Sequence, residues 1–495
     1  MSIEENLDPT DWEGMRELGH HMVDDMLDYL RTVRERPAWQ HAPPEVKEHF
    51  TASLPLEPQP PEQVYQEFLE KILPYPVGNI HPRFWGWVFG TGTVSGAFAE
   101  LLAGAMNVGA SGGLAHHSSI HVEKQVLGWF KEMLGFPASA GGLLTSGCSA
   151  SNLIGLAVAR NTKAGYDLRR EGLDASRVRL VLYAAQEIHS SVQKAVELLG
   201  LGSRALRLVP VNELFQMDLP SLKSAIFDDR QSGLLPFCVV AAAGTTNTGA
   251  IDDLETLADI CKQENLWLHV DGAFGAWAAL APRYRHLVKG MEQADSLAFD
   301  LHKWMYMPYD IGCILVRNPD HLSDTFSIMP DYLAHGEGQR GLTGADLPWF
   351  GTYGFELSRS FRALKAWMSL KEHGALKYGR LIQQNIDQAG YLASLIQAQA
   401  ELELSAPVEL NVVCFRFLNP RLGEPGLDQL NKHIEVELQE SGIAVTSGTR
   451  INGRYVLHLA HCNHRTRRED FEILVAEVIR LGREYLVINN PDSVL

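Results

Sequence analysis

The chain has 495 residues, more than one hydrophobic core usually organises, so two or three domains are expected. Hydrophobic residues make up 45% and charged residues 21%, the balance of a soluble globular enzyme. The formal net charge of -17 argues against a nucleic-acid surface, which needs clustered lysine and arginine against phosphate.

The acidic opening lacks the charged-then-apolar order of a secretion signal, and no apolar run reaches the roughly 20 residues that span a bilayer. Residues 1–85 read as a helical arm. Met15, Leu18, Met22, Met26, Leu27 and Leu30 recur at helical spacing, and prolines (Pro43-Pro44, Pro58, Pro60-Pro61) precede a second helix near Val64 to Leu73. With little core of its own, this arm is expected to pack on another part of the chain or on a partner subunit. Residues 86–375 alternate between apolar runs and helical stretches. The runs are Arg179 to Tyr183, Leu206 to Val209, Phe237 to Ala242, Leu266 to Val270, Ser296 to Phe299 and Gly312 to Val316. That alternation predicts an α/β domain on a mainly parallel sheet. Within it, segment 320 to 350 carries His335-Gly336-Glu337-Gly338 and Gly341 and reads as a lid. Residues 376–495 start with helix, give two strands (Val412 to Phe417, Arg454 to Leu459) and close with a helix from Glu469 to Glu484, a smaller α+β domain. The basic run Arg465 to Arg468 reads as a solvated helix start.

In open α/β sheets, ligands sit beyond the carboxyl ends of the strands. Ser296 to Phe299 is followed by Asp300-Leu301-His302-Lys303-Trp304, and Leu266 to Val270 by Asp271-Gly272-Ala273. One amine and one carboxylate at strand ends suit pyridoxal phosphate: the amine forms a Schiff base, and the carboxylate keeps the pyridine nitrogen protonated. Desolvation is expected to lower the Lys303 pKa toward that of a usable nucleophile. Gly141 to Ser149, before a helical run from Asn152 to Arg160, reads as a turn offering N–H groups to a phosphate. His189 reads equally as a helix cap and as an imidazole stacked on a cofactor ring. Nucleotide-binding glycine fingerprints are absent. His116, His117 and His121 lack the third ligand spacing of a metal site, and a pocket or subunit contact suits them better. The six cysteines show no C-x-x-C pairing, so neither a disulfide framework nor a zinc site is indicated, and the cytoplasm is expected.

At these residues the chain resembles the group II pyridoxal-phosphate-dependent decarboxylases, the family of aromatic-L-amino-acid decarboxylase. The resemblance covers His81-Pro82-Arg83-Phe84-Trp85, Gly141 to Asn152, His189-Ser190-Ser191, His269-Val270-Asp271 and His302-Lys303-Trp304. It continues through Pro330-Asp331-Tyr332-Leu333, Leu357 to Lys365 and Asn463-His464-Arg465-Thr466. It implies a fold-type I, aspartate-aminotransferase-like homodimer with shared active sites and an arm packed on the partner. Lys303 would be the Schiff-base lysine, Asp271 the pyridinium partner, His189 the stacked imidazole and Ala273 the contact on the ring's other face. Cys148 and Ser149 would bind phosphate, His302 and Thr246 would contact the cofactor, and Tyr332 would be the catalytic tyrosine. The implied reaction is decarboxylation of an L-amino acid, aromatic as a first guess, to the amine and carbon dioxide. Oxidative decarboxylation-deamination to an aldehyde is the alternative, disfavoured by Tyr332; decarboxylation of a non-aromatic amino acid stays open. Transamination and a cofactor-free role fit the lysine motif and the Lys303–Asp271 pair poorly. Three positions depart from the pattern: Leu301 replaces a usual proline, His458 a frequent arginine, and His116-His117-Ser118-Ser119 a Ser-Pro pair near the substrate.

Overall fold

A computed structural model describes residues 5–111, 117–174, 178–328 and 349–489. The larger sheet has seven strands: β1 (Gly141–Thr145), β2 (Leu180–Ala185), β3 (Leu206–Val209), β4 (Leu235–Ala242), β5 (Trp267–Asp271), β6 (Ser296–Asp300) and β7 (Gly312–Val316). Their order is β1-β7-β6-β5-β4-β2-β3. Neighbours from β3 to β6 run parallel, while β7 is antiparallel to both β6 and β1. Every residue of β2, β5, β6 and β7 is buried, because helices such as Cys148–Lys163 and Leu254–Gln263 pack on the sheet. That burial is why these strands read as continuous apolar runs rather than as alternating ones.

Register sets the two strand tips side by side. Asp271, the last residue of β5, pairs with Ala242 of β4 and Ala298 of β6. β6 runs on to Asp300 before turning into His302 and Lys303. Both aspartates thus belong to the strands, whereas the apolar runs alone end one residue earlier.

β1 corrects the sequence reading. Gly141 to Ser149 looks like one glycine-rich turn, yet Gly141–Thr145 is a fully buried strand and only Ser146-Gly147 separates it from the helix. The glycine there serves packing, since a Cβ on Gly142 would stand 2.7 Å from Leu315 Cδ2 across the pair.

A second, antiparallel sheet of four strands has the order β10-β11-β9-β8, with β8 at Leu402–Leu404, β9 at Val412–Phe417, β10 at Ser447–Ile451 and β11 at Arg454–Ala460. Helices Ala375–Gln397, Glu424–Glu440 and Arg468–Asn489 pack on it. Phe415, Leu430, Ile434, Leu457 and Phe471 make its separate core. The arm docks here within the same chain. Trp85 stacks on Phe471 with ring centroids 5.0 Å apart, and Arg34 pairs with buried Asp470 at 2.7 Å. The first arm helix, Trp12–Arg31, is capped by Asp11 and buries only Leu18. The second differs from a single helix over Val64 to Leu73: Pro61–Glu67 is α-helical and Phe68–Ile72 widens to a π turn. Among the described residues no helix is long and apolar enough to cross a membrane. All six cysteines are buried and unpaired.

Candidate active site

Lys303 follows β6 by one turn and points its amine back at the strand, 3.1 Å from Asp300 Oδ2. The Lys303 side chain is 19% exposed and that of Asp300 only 2%. Burial alone pulls the lysine pKa down, but the Asp300 carboxylate, with that of Asp271 behind it, more than offsets that pull. The net displacement is upward, which reverses the direction expected from desolvation. Asp300 Oδ1 is buried without a hydrogen-bond partner. Across the turn, a Cβ on Gly90 would collide with the carbonyl oxygens of His302 and Lys303, so only glycine lets this strand of chain lie on the lysine.

On the neighbouring tip, Asp271 is held from several sides. Oδ2 accepts from Asn152 Nδ2 at 2.9 Å; Oδ1 accepts from the Ala273 N–H at 3.2 Å and the Cys148 thiol at 3.4 Å. Ala273 also bridges the two tips, because its carbonyl accepts the Asp300 N–H at 2.9 Å. Burial, with Asp271 and Asp300 nearby, pushes the Cys148 thiol well above its ordinary pKa, so it stays a neutral donor.

Cys148 opens helix Cys148–Lys163, and helix geometry leaves its first N–H groups without intrahelical acceptors. Ser149 is exposed at the same helix start. Gly147, the residue just before the helix, faces His302: a Cβ there would stand 3.3 Å from His302 Cε1. His302 Nδ1 accepts the Ile311 N–H at 3.2 Å, and burial lowers its pKa, which leaves Nε2 as the N–H on the side of Asp300, 3.6 Å away. Amine, carboxylate, helix start and imidazole therefore lie together beyond the strand ends, a set of groups that fits pyridoxal phosphate.

His189 caps helix Ser190–Leu198: its Nδ1 accepts the Ser191 N–H at 3.2 Å and lies 2.8 Å from Ser191 Oγ. Burial lowers its pKa against an opposing pull from Asp271. Ser191 Oγ in turn accepts from Asn152, so the cap is wired to Asp271. Thr246, after β4, presents its carbonyl to His458 Nε2 at 2.8 Å. His458 is buried and its pKa is pushed down to about 4, so it is a neutral clamp and not a substitute for the arginine charge. Thr449 and Cys414 bind Asn247 beside it, at 2.9 and 3.0 Å. The loop after β4 is thereby fastened to the smaller sheet.

An aromatic group lies at the mouth. Tyr309 covers His302 with ring centroids 4.2 Å apart, and Phe89 joins Tyr309 to Trp87 and Phe84. From behind, a buried ion pair braces β1. Arg359 Nη2 lies 2.5 Å from Glu123 Oε1 and donates to the Leu144 carbonyl at 2.9 Å, while Glu123 Oε1 accepts the Leu144 N–H at 3.1 Å.

Tyr332, His116 and the lid positions from 329 to 348 lie outside the described residues. His117 occupies the N-cap position of helix Ser118–Leu134 without a side-chain bond to its backbone, its Nδ1 lying 2.6 Å from Ser119 Oγ, and the described residues hold no His/Cys/Asp/Glu group suited to a metal. Sequence reasoning gave no role to Asn152, Ser191, His269, Ser296 or Asp300. The available signal was polarity inside otherwise apolar, buried strands: His269 shares a face of β5 with Asp271, and Ser296 shares one of β6 with Asp300.

The pyridoxal-dependent decarboxylase conserved domain matches residues 43–418. Aromatic-L-amino-acid decarboxylase of Bacillus atrophaeus is 34% identical over 475 residues, spanning 95% of this chain and 96% of that protein. Phenylacetaldehyde synthase of Petunia hybrida is 28% identical over 469 residues, spanning 92% and 90%. The crystal structure of Oryza sativa TDC with PLP and tryptamine superimposes with a TM-score of 0.88 at 26% identity, covering 97% of this chain and all of that one. Fold, strand-tip lysine and carboxylate, and likeness along nearly the full length agree: the chain belongs to the pyridoxal-dependent decarboxylase family, with pyridoxal phosphate as its cofactor.

Proposed function

We propose that the protein converts an aromatic L-amino acid to its amine and carbon dioxide, as a cytoplasmic homodimer with shared sites. The observation that carries the reading is that Lys303 folds back onto Asp300 at the tip of β6, beside the β5 tip that carries Asp271, with Ala273 bridging the two tips. When bound, pyridoxal phosphate supplies an aldehyde that captures amines and a ring that draws electrons from the substrate's Cα. Asp271 holds the ring nitrogen protonated. The N–H groups of Cys148 and Ser149, with His302, take the phosphate, and the Cys148 thiol serves Asp271 instead. His189, Ala273 and Thr246 would hold the ring, and Tyr332 would deliver a proton to Cα. Aromatic side chains fit the Phe84–Trp87–Phe89–Tyr309 group beside His302, and the Bacillus atrophaeus relative acts on aromatic L-amino acids by name.

The dimer is supported by helix Val94–Met106, which leaves Val94, Phe98, Leu101, Leu102 and Met106 exposed in one stripe. A particle of twice the 55.0 kDa chain mass in analytical ultracentrifugation is expected. Six unpaired thiols suit a reducing compartment. The chain divides into an arm (1–85), a cofactor domain (86–375) and a smaller domain (376–495).

Carbon dioxide release screened over the L-amino acids tests the substrate class: turnover of an acidic or sulfinic amino acid alone rejects the aromatic reading. Tyr332→Phe is expected to divert the product from amine to aldehyde with hydrogen peroxide; amine at the parental rate removes Tyr332 as proton donor.

The raised Lys303 pKa sets a pH dependence. The amine must shed its proton before it attacks an aldehyde, so attachment of cofactor to the apo-protein should accelerate roughly tenfold per pH unit below the lysine pKa. Asp300→Asn removes the carboxylate that holds the proton, and attachment at neutral pH should then be faster. Stopped-flow absorbance measures both, and a pH-independent rate contradicts the account.

A further inference from the structure

Behind Asp271 runs a line of buried polar side chains whose hydrogens can be assigned from its ends. Trp267 Nε1 is only a donor, and it lies 2.8 Å from Ser296 Oγ. At the other end the Asp271 carboxylate only accepts. Asn152 spends its Nδ2 hydrogens on Asp271 Oδ2 at 2.9 Å and Ser191 Oγ at 3.0 Å, so its Oδ1 faces His269 Nε2 at 2.9 Å as an acceptor. His269 Nε2 must therefore carry the hydrogen. Burial pushes the His269 pKa down to about 4, so the ring is neutral and Nδ1 is bare; it accepts from Ser296 Oγ at 2.8 Å. Asn152, His269 and Ser296 are fully buried, which strengthens each link and makes a broken one costly. The helix comes this close because residue 155 is glycine: a Cβ there would stand 2.6 Å from His269 Cε1.

Resting on the reading of Asp271 as the ring-nitrogen partner, we propose that Trp267, Ser296, His269 and Asn152 form a one-way hydrogen-bond relay that orients Asp271 and keeps it an acceptor for the cofactor ring. Every member donates toward the carboxylate. Ser296 fixes the tautomer of His269, His269 fixes which end of the Asn152 amide faces Asp271, and a flipped amide would set oxygen against oxygen. These are positioning residues, and none of them bonds to Lys303.

The test compares His269→Leu, His269→Gln and Ser296→Ala with Asp271→Asn in the full-length protein. Glutamine keeps an N–H where Nε2 stands; leucine keeps only bulk. Three quantities are read: the cofactor dissociation constant from titration of apo-protein, the pH midpoint of the bound cofactor's visible absorbance, and the apo-protein melting temperature. His269→Leu is expected to weaken cofactor binding roughly tenfold, the scale of one intramolecular hydrogen bond, and to move the absorbance midpoint in the direction that Asp271→Asn moves it. Ser296→Ala should do the same to a smaller degree, and His269→Gln should recover most of the parental affinity and midpoint. A packing role alone would lower the melting temperature of all three and leave both cofactor readouts in place, which overturns the relay. If Asp271→Asn leaves affinity and absorbance unchanged, the reading of Asp271 itself fails and the relay fails with it. If Asp271→Asn shifts both and the relay variants shift neither, only the relay is rejected.

Discussion

Replacing Lys303 with alanine is expected to cut carbon dioxide release by at least ~10²–10⁴-fold, the range that loss of one positioned proton-transfer group covers. The amine does more than move a proton, since it also anchors the cofactor, so the fall should reach the upper end. Borohydride treatment of the loaded parent should fix a pyridoxyl group to Lys303, read by peptide mass spectrometry, and a label on another lysine would overturn the assignment. The variant also strips Asp300 of its cation. With that side chain 2% exposed and Oδ1 already unpartnered, stability should drop as well. Lys303→Ala/Asp300→Asn separates the two effects: its melting temperature should rise above that of the single variant while activity stays absent.

Arg359→Ala should be the most damaging substitution outside the cleft. Arg359 and Glu123 have side chains 1% and 2% exposed, and removal of one partner from such a pair costs about 3–5 kcal/mol because the other charge is left buried and unpaired. Arg359 also gives hydrogen bonds to the Ala110 and Leu144 carbonyls, so two further acceptors lose a donor. Urea unfolding measures the loss. The double variant Arg359→Met/Glu123→Gln should recover much of it, since glutamine still accepts the Leu144 N–H and no charge remains. Because Leu144 leads through Thr145 and the Ser146-Gly147 turn into helix Cys148–Lys163, the single variant should bind cofactor more weakly too. A loss below about 1 kcal/mol would place the pair among ordinary surface bridges.

Strands β2, β5, β6 and β7 were legible because each is buried throughout and spelled in mostly apolar residues. β1 escaped because its glycines imitate a turn while serving close contact with β7. β10 escaped because only Ser447 and Ile451 at its ends are buried, and β8 because three residues carry no period. Asp271 could be found as the polar group that ends one apolar run, and Lys303 as the amine that follows another within the Asp300-Leu301-His302-Lys303-Trp304 stretch. The direction of the lysine pKa could not: enclosure was readable, but the opposing carboxylate of Asp300 acts only once the turn folds the amine back onto β6. The Asn152–His269–Ser296 line is spread over 145 positions in sequence and exists only through the register of β5 with β6 and the seat of one helix.

The fastening of the loop after β4 to the smaller sheet has a mechanical result. His458 on Thr246, with Thr449 and Cys414 on Asn247, ties the rim of one half of the molecule to the other through groups that are buried or partly buried. A swing of one half away from the other would break these bonds together and strand their polar atoms, so hinge-like gaping is not an inexpensive motion here. The loop that carries Thr246 is therefore held in place before any small molecule binds.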